Sequence, residues 1–338
     1  MNIYLDSGFV DMKSIIEADY PFIIMTGARA TGKTYGALKY VIEAGKKFIY
    51  MRRTKVQTNL ISAAEMSPFQ AVCSDMHITF EARKISTEVT GIYFNESENP
   101  AGYIMALSGI ANLRGFSAAD VQIIIYDEFI PEAHERQLKN EGDALFNAYE
   151  TINRNRELSG CPAVKMVLLS NANRIVNPVF QSLGLIGVAY KMAETGQQIY
   201  KDRGRGLFII NLRNSPISEK KRETALYKLL QENPIVSMSL DNMYLDKPTL
   251  QLKSANLKEY KPIVTVGEIT VYRHKSKPEK YISMHGQGSR PIYTTSENDI
   301  QRFRVLYRPL LSDYIARKIY CESPACEIIF CQYFRLID

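Results

Sequence analysis

Eight consecutive residues constrain this 338-residue chain more than any others: Gly27-Ala28-Arg29-Ala30-Thr31-Gly32-Lys33-Thr34. The spacing fits G-x-x-x-x-G-K-[ST], a loop whose backbone N–H groups converge on phosphate oxygens. The flanks suit it. Phe22-Ile23-Ile24-Met25 is a short apolar run of the kind a buried strand shows, and residues 35–44 (YGALKYVIEA) carry a helical pattern. A strand–loop–helix unit aims the helix dipole and the loop amides at one spot. Gly27 and Gly32 permit close approach and dihedrals that a side chain blocks. Lys33 is expected to reach the β- and γ-phosphates of a bound nucleoside triphosphate, and Thr34 to hold Mg²⁺.

Downstream segments supply what such a loop needs. Lys47-Phe48-Ile49-Tyr50-Met51 predicts a strand ending in Arg52-Arg53-Thr54-Lys55, which puts these cations on the ligand side of an open α/β sheet. Ile92-Tyr93-Phe94 and Tyr103–Leu107 predict two more strands, with Arg114 in the loop that follows. Val121-Gln122-Ile123-Ile124-Ile125-Tyr126 is the most apolar strand and ends in Asp127-Glu128. A nearly continuous apolar run marks a parallel strand covered on both faces. Its terminal carboxylates fit a metal ligand, Asp127, followed by a water-polarising base, Glu128. Residues 143–156 predict a helix ending in Arg154-Asn155-Arg156; two residues apart on a helix, these arginines would face different ways. Val164–Leu169 predicts another buried strand, ending near Asn171, and Leu207–Ile210 a last one. Tyr4, Phe9 and Tyr20 suit either an adenine platform or packing at the sheet edge.

Composition narrows the class. With 46% hydrophobic and 23% charged residues the chain has an ordinary globular balance, and no apolar run is long enough to span a bilayer. The N-terminus lacks a basic region followed by an apolar core, so no secretory signal is expected. Five scattered cysteines point to free thiols in a reducing cytosol; the five-residue recurrence of Cys321, Cys326 and Cys331 is not a zinc spacing. The net charge of +6 permits a polyanionic partner.

After Asn214-Ser215-Pro216 the composition changes. Residues 218–233 predict one basic helix with Ser218 as N-cap, stopped by Pro234, within a linker over 213–236. This gives an α/β nucleotide-binding domain at 1–212 and a smaller α+β domain at 237–338. The latter alternates like β-structure at Pro262–Val266, Ile269–Tyr272 and Lys280–Ser283, and closes on a helical stretch near 299–319. From Lys253 onward, fourteen Lys/Arg stand against nine Asp/Glu, interleaved with aromatics, a pattern that suits nucleic acid.

Taken together, the strings GARATGKT, FIYMRR, IIIYDEFI, NRNRE, LSNANRIVNPVF and MSLDN resemble the DNA-packaging (encapsidation) ATPases of phi29-like phages, small relatives of terminase large subunits. The resemblance is specific from about residue 20 to 245 and faint beyond. It implies a P-loop NTPase core of the additional-strand (ASCE), terminase-like type with a largely parallel sheet, and a small RNase H-like, degenerate nuclease C-terminal domain. It implies ATP and Mg²⁺ as ligands and a homo-oligomeric ring, a pentamer. It implies the portal (connector) of an empty procapsid and double-stranded DNA as partners, with no membrane, and admits a structural packaging RNA. The place of action would be the host cytoplasm, docked transiently on the procapsid. Gly27, Arg29, Thr31, Gly32, Lys33 and Thr34 match the family's P-loop, Asp127 its metal-binding aspartate and Glu128 its catalytic glutamate. Arg154 matches its trans-acting arginine finger, with Arg156 the second choice. Lys55 and Arg114 match basic positions that face the next subunit, and Asn171 the sensor. The hairpin where nuclease carboxylates should project reads Val271-Tyr272-Arg273-His274 and Tyr281-Ile282-Ser283-Met284, so no nuclease residues are assigned. Two other classes fit less well: a nuclease-competent terminase using Glu268, Glu279 or Asp241/Asp246, and a non-motor nucleic-acid-binding ATPase switch.

Overall fold

The structure, a computed structural model, describes residues 2–63, 67–112, 119–131, 135, 138, 140–171, 174–213, 215–230 and 252–336. It divides into two compact units, one of residues 1–173 with 195–243 and one of residues 174–194 with 244–338. Residues 174–194, expected within the nucleotide-binding domain, therefore group with the C-terminal unit, and the described linker residues group with the first.

The first unit runs α1 (Met12–Glu17), β1 (Phe22–Gly27), α2 (Lys33–Glu43), β2 (Phe48–Arg52), α3 (Lys55–Ser62), α4 (Phe69–Met76), β3 (Phe80–Lys84), β4 (Val89–Phe94), β5 (Gly102–Ala106), β6 (Ile123–Asp127), α5 (Glu141–Asn153) and β7 (Lys165–Ser170). After α6 (Pro178–Leu183) and α7 (Ile186–Thr195), which belong to the other unit, it resumes with β8 (Ile199–Asp202), β9 (Leu207–Leu212), α8 (Pro216–Arg222) and α9 (Ala225–Leu230).

Nine strands form one sheet in the order β3-β4-β5-β2-β6-β7-β1-β9-β8. The run from β5 to β9 is parallel, with antiparallel strands at both margins. β7 lies between β1 and β6, the inserted-strand arrangement expected of the core. The all-apolar runs of β1, β6, β7 and β9 follow from burial on both faces. On one face Ile23, Met25, Tyr50, Ile125, Val167 and Phe208 share a core with Ala37, Leu38 and Val41 of α2. Each such side chain contributes roughly 1.5–3 kcal/mol when fully buried.

Two helical expectations are corrected. The segment after Asn214 is not one helix capped by Ser218. Pro216 fixes the backbone at the first helical position, so the cap falls on Ser215, while Ser218 is buried inside α8 and its hydroxyl lies 2.9 Å from that of Ser215. A break at Glu223 and Thr224 separates α8 from α9. The helix 143–156 ends at Asn153, and Arg154 follows with φ +49°, so Arg154 and Arg156 do not share a helix.

In the second unit β10 (Tyr260–Val266), β11 (Ile269–His274) and β12 (Lys280–Ser283) form an antiparallel meander. β13 (Ile292–Tyr293) lies parallel to β10, and β14 (Ile319–Cys321) parallel to β12. The helical stretch near 299–319 is two helices, Glu297–Leu306 and Pro309–Ile315, because Pro309 restarts the second, and its last residue begins β14. The helix Pro324–Tyr333 is buried almost throughout and brings in Cys326 and Cys331. Burial pushes the Cys326 thiol up to about 11, so it stays protonated.

Candidate nucleotide site

The loop between β1 and α2 wraps a cavity of about 350 Å³ that also takes in Asp127, Glu128 and Asn171. Its glycines are required by geometry. A Cβ on Gly27 would stand 2.7 Å from Cβ of Leu212 on the neighbouring β9, and Gly32 has φ +90°. Two of the loop's carbonyls are satisfied by neighbouring elements. Lys221 Nζ donates to the Arg29 carbonyl at 3.0 Å, and the Val10 N–H to that of Thr31 at 3.0 Å. Lys33 Nζ donates to the carbonyls of Gly27 (2.9 Å) and Ala28 (2.8 Å), more distantly to Thr31 Oγ1 (3.3 Å) and Asn171 Oδ1 (3.4 Å). Burial lowers its ammonium to about 8.

Opposite the loop, Asp127 is buried at the end of β6. Its Oδ2 accepts from Thr34 Oγ1 at 3.0 Å and from Tyr50 Oη at 2.7 Å. Burial, then the Asp127 charge, raises the Tyr50 phenol well above its ordinary value, so it remains a donor. A hydroxyl and a carboxylate oxygen at this distance are a hard-oxygen pair suited to Mg²⁺. Glu128 turns away from the strand with φ +56°, a left-handed conformation costing about 1–3 kcal/mol in a non-glycine residue. Its carboxylate lies 2.5 Å from Arg52 Nη1, which is also 3.9 Å from Asp127 Oδ2.

Strand alternation explains the partners along β2. Tyr50 and Arg52 lie on one face of β2 and reach the carboxylates, while Arg53, one residue past the end of the strand, has other partners. Arg53 is buried, forking onto Glu141 through Nε (2.7 Å) and Nη2 (3.1 Å) and onto Glu135 through Nη1 (3.1 Å). Tyr126 Oη adds a bond to Glu141 at 3.0 Å. Sequence reasoning treats Arg52 and Arg53 as equivalent ligand-side cations and gives Tyr50 no role; a period-2 count along β2 would have divided them.

The other expected residues lie apart from the cavity. Arg154 Nε donates to the Thr151 carbonyl at 3.3 Å, and Arg156 Nη1 to the Val121 carbonyl at 2.8 Å. Asn153 accepts from the Val164 N–H at 2.8 Å, so the end of α5 sits where β6 and β7 begin, with the cavity at their far ends. Lys55 pairs with Glu88 at 3.0 Å. Arg114 lies outside the described residues. Of the aromatics, Tyr20 packs on Phe208 at 5.3 Å, Tyr4 packs against the core, and Phe9 lies against Gly32 of the loop.

A family model described as Podovirus DNA encapsidation protein (Gp16) matches residues 6–328. The chain belongs to that family. Among encapsidation proteins, the DNA packaging protein of Bacillus phage phi29 is 26% identical over 321 residues, covering 92% of this chain and 90% of that one. That of Bacillus phage B103 is 27% identical over 303 residues, covering 87% of each. In fold the chain is similar to the bacteriophage Phi-29 genome packaging motor (TM-score 0.67, 22% identity, 97% of this chain and 98% of that one). It is likewise similar to the Phi-28 gp11 DNA packaging motor (TM-score 0.63, 17% identity, 98% of each). Among the described residues no helix is long and apolar enough to cross a membrane.

Proposed function

We propose that this encapsidation protein is an ATP-hydrolysing motor subunit that drives double-stranded DNA into a procapsid through its portal, working in a homomeric ring, a pentamer. The observation that carries the reading is the convergence of Lys33, Thr34, Asp127, Glu128 and Asn171 on one cavity, in a chain of a DNA encapsidation family. The ATPase domain is assigned to 1–212, the linker to 213–236 and nucleic-acid binding to 237–338.

In this mechanism the loop amides from Arg29 to Thr34 hold the phosphates, with Thr31 and Gly32 closing the cradle. Lys33 leaves the carbonyls of Gly27 and Ala28 for the β- and γ-phosphates. Thr34 and Asp127 would hold Mg²⁺, which would supply charge neutralisation. Glu128, released from Arg52, accepts the proton of the water that attacks the γ-phosphorus as the bond to the ADP oxygen breaks, and Asn171 orients that water. Arg154 is the trans-acting residue: about 13 Å of strand separates the start of β6 from its end, so a side chain at the start serves a neighbour's site better than its own. Arg156 ranks second, with Lys55 and Arg114 as further inter-subunit candidates. No cleavage role is assigned to the C-terminal domain; on its sheet Arg290 donates to Thr265, the Thr265 and Thr270 hydroxyls lie 2.7 Å apart, and Ser283, opposite Thr270, donates to Glu322 at 2.8 Å.

The test is steady-state ATP turnover with and without double-stranded DNA. Turnover should rise with DNA, and Glu128→Gln should bind ATP yet hydrolyse at least about 100-fold more slowly. Undiminished hydrolysis by Glu128→Gln removes that residue from the mechanism; no turnover under any condition removes the motor reading. A plasmid incubated with the protein and Mn²⁺ should stay uncut.

A further inference from the structure

We infer that Lys221, on the helix that opens the linker, is an additional phosphate-binding residue that senses the terminal phosphate and reports it to that helix. The inference rests on the ATP site proposed above and adds a residue that the loop motif does not contain.

α8 is set against the back of the loop. Its first residues pack on Gly8, where an added Cβ would meet Pro216 Cβ at 3.2 Å, and Ser215 and Ser218 are buried. The adjoining Phe9 lies against Gly32. From the last turn of this short helix Lys221 reaches the loop itself, its Nζ 3.0 Å from the Arg29 carbonyl and 5.3 Å above the Tyr227 ring of α9. The ammonium is close enough to Lys33 for their repulsion to be one of the forces lowering the Lys33 proton affinity, after burial and opposed by Asp127. Two lysine ammoniums on one small loop, with Arg29 beside them, repel one another. A polyphosphate resolves that repulsion, and a carbonyl is a weaker partner for an ammonium than a phosphate oxygen.

Position in the loop selects the phosphate. Lys33 and Thr34 open α2 on the β-phosphate side, with Lys33 reaching on to the γ-phosphate. Arg29, two residues past the end of β1, lines the same cavity as Asp127, Glu128 and Asn171, the groups that face the transferred phosphate. Lys221 therefore stands at the γ end. When ATP binds, its ammonium moves from the Arg29 carbonyl to the γ-phosphate and draws α8 with it; ADP offers no such anchor. The nucleotide state is thereby written into the segment leading to the C-terminal domain.

The experiment measures binding of MgATP and MgADP to the full chain carrying Glu128→Gln, so that ATP survives the titration. Adding Lys221→Met should weaken ATP by about tenfold or more, the loss expected for a charge-assisted bond, and ADP by no more than about twofold. Lys221→Arg should restore most of the ATP affinity, and Lys220→Met, one residue away and exposed, should change neither. Amide exchange across 216–222 should slow with ATP in the parent and not in Lys221→Met. Unchanged ATP affinity in Lys221→Met, or equal losses for ATP and ADP, overturns the inference. An unliganded Lys221→Met that melts below its parent moves the comparison to Lys221→Gln, with the same two outcomes. A parent that does not bind ATP at all overturns the underlying site instead.

Discussion

Lys33 is held inside its loop as a buried cation whose proton affinity is lowered by burial. The sign of the resulting pH dependence follows from the two states. In the free protein the ammonium gives up its proton near pH 8; against a triphosphate it keeps it. Binding therefore takes up a proton above pH 8, and affinity falls as pH rises, by up to about tenfold per unit, while staying flat below about pH 7. Nucleotide titrations of Glu128→Gln between pH 6.5 and 9.5 check this; a flat profile means that Lys33 is not the group that meets the phosphates. The loop, Asp127 and Glu128 were legible in the sequence because each is adjacent in the chain to the element that positions it. Tyr50 was given no role, and Arg52 was placed on the ligand side without a partner, because their partners come from β6 and the register Tyr50↔Ile125 brings them together. Glu128 and Arg154 share a positive φ that no residue type in the sequence announces.

At the scale of elements, α5 is the piece whose anchorage most deserves testing, since it starts at Arg53 and ends at Arg154. Its first residue, Glu141, is fully buried against the Arg53 guanidinium. Removing one partner strands a charge, so Arg53→Met alone should cost about 3–5 kcal/mol, while Arg53→Met with Glu141→Leu should cost less than that single change. Urea unfolding measures both; a double variant less stable than the single would show that the pair adds net stability rather than fixing α5 in place. The strongly patterned elements were legible: β1, α2, β2, β6, α5, β7 and β9 lie within a few residues of expectation. The short ones were not. β8 and β14 are recruited by neighbours already in the sheet, and the helix Pro324–Tyr333 is buried on all sides, so neither offers a clear alternation or an amphipathic stripe.

For the whole molecule, Arg154 stands at the opposite end of the strands from the loop of its own subunit. If it completes a neighbour's site, Arg154→Ala should bind ATP normally and hydrolyse about 10³-fold or more slowly. Mixing it with Glu128→Gln should then regain activity, because some interfaces pair an intact Arg154 with an intact Glu128. Turnover of the mixture against its parts, with mixed rings verified by mass, is the measurement. A mixture no more active than either parent transfers the role to Arg156, Arg114 or Lys55.

The order of the sheet also bears on how the protein is made. β1 leaves the ribosome early, yet the strands on either side of it, β7 and β9, come last in this sheet apart from β8's own margin, with Met166 and Leu207 both lying opposite Phe22. Until β9 has emerged, the strand that carries the loop keeps one apolar edge unpaired, and that edge is prone to pair wrongly. Translation arrested before Leu207 should leave a polypeptide that sediments with chaperones and retains no nucleotide.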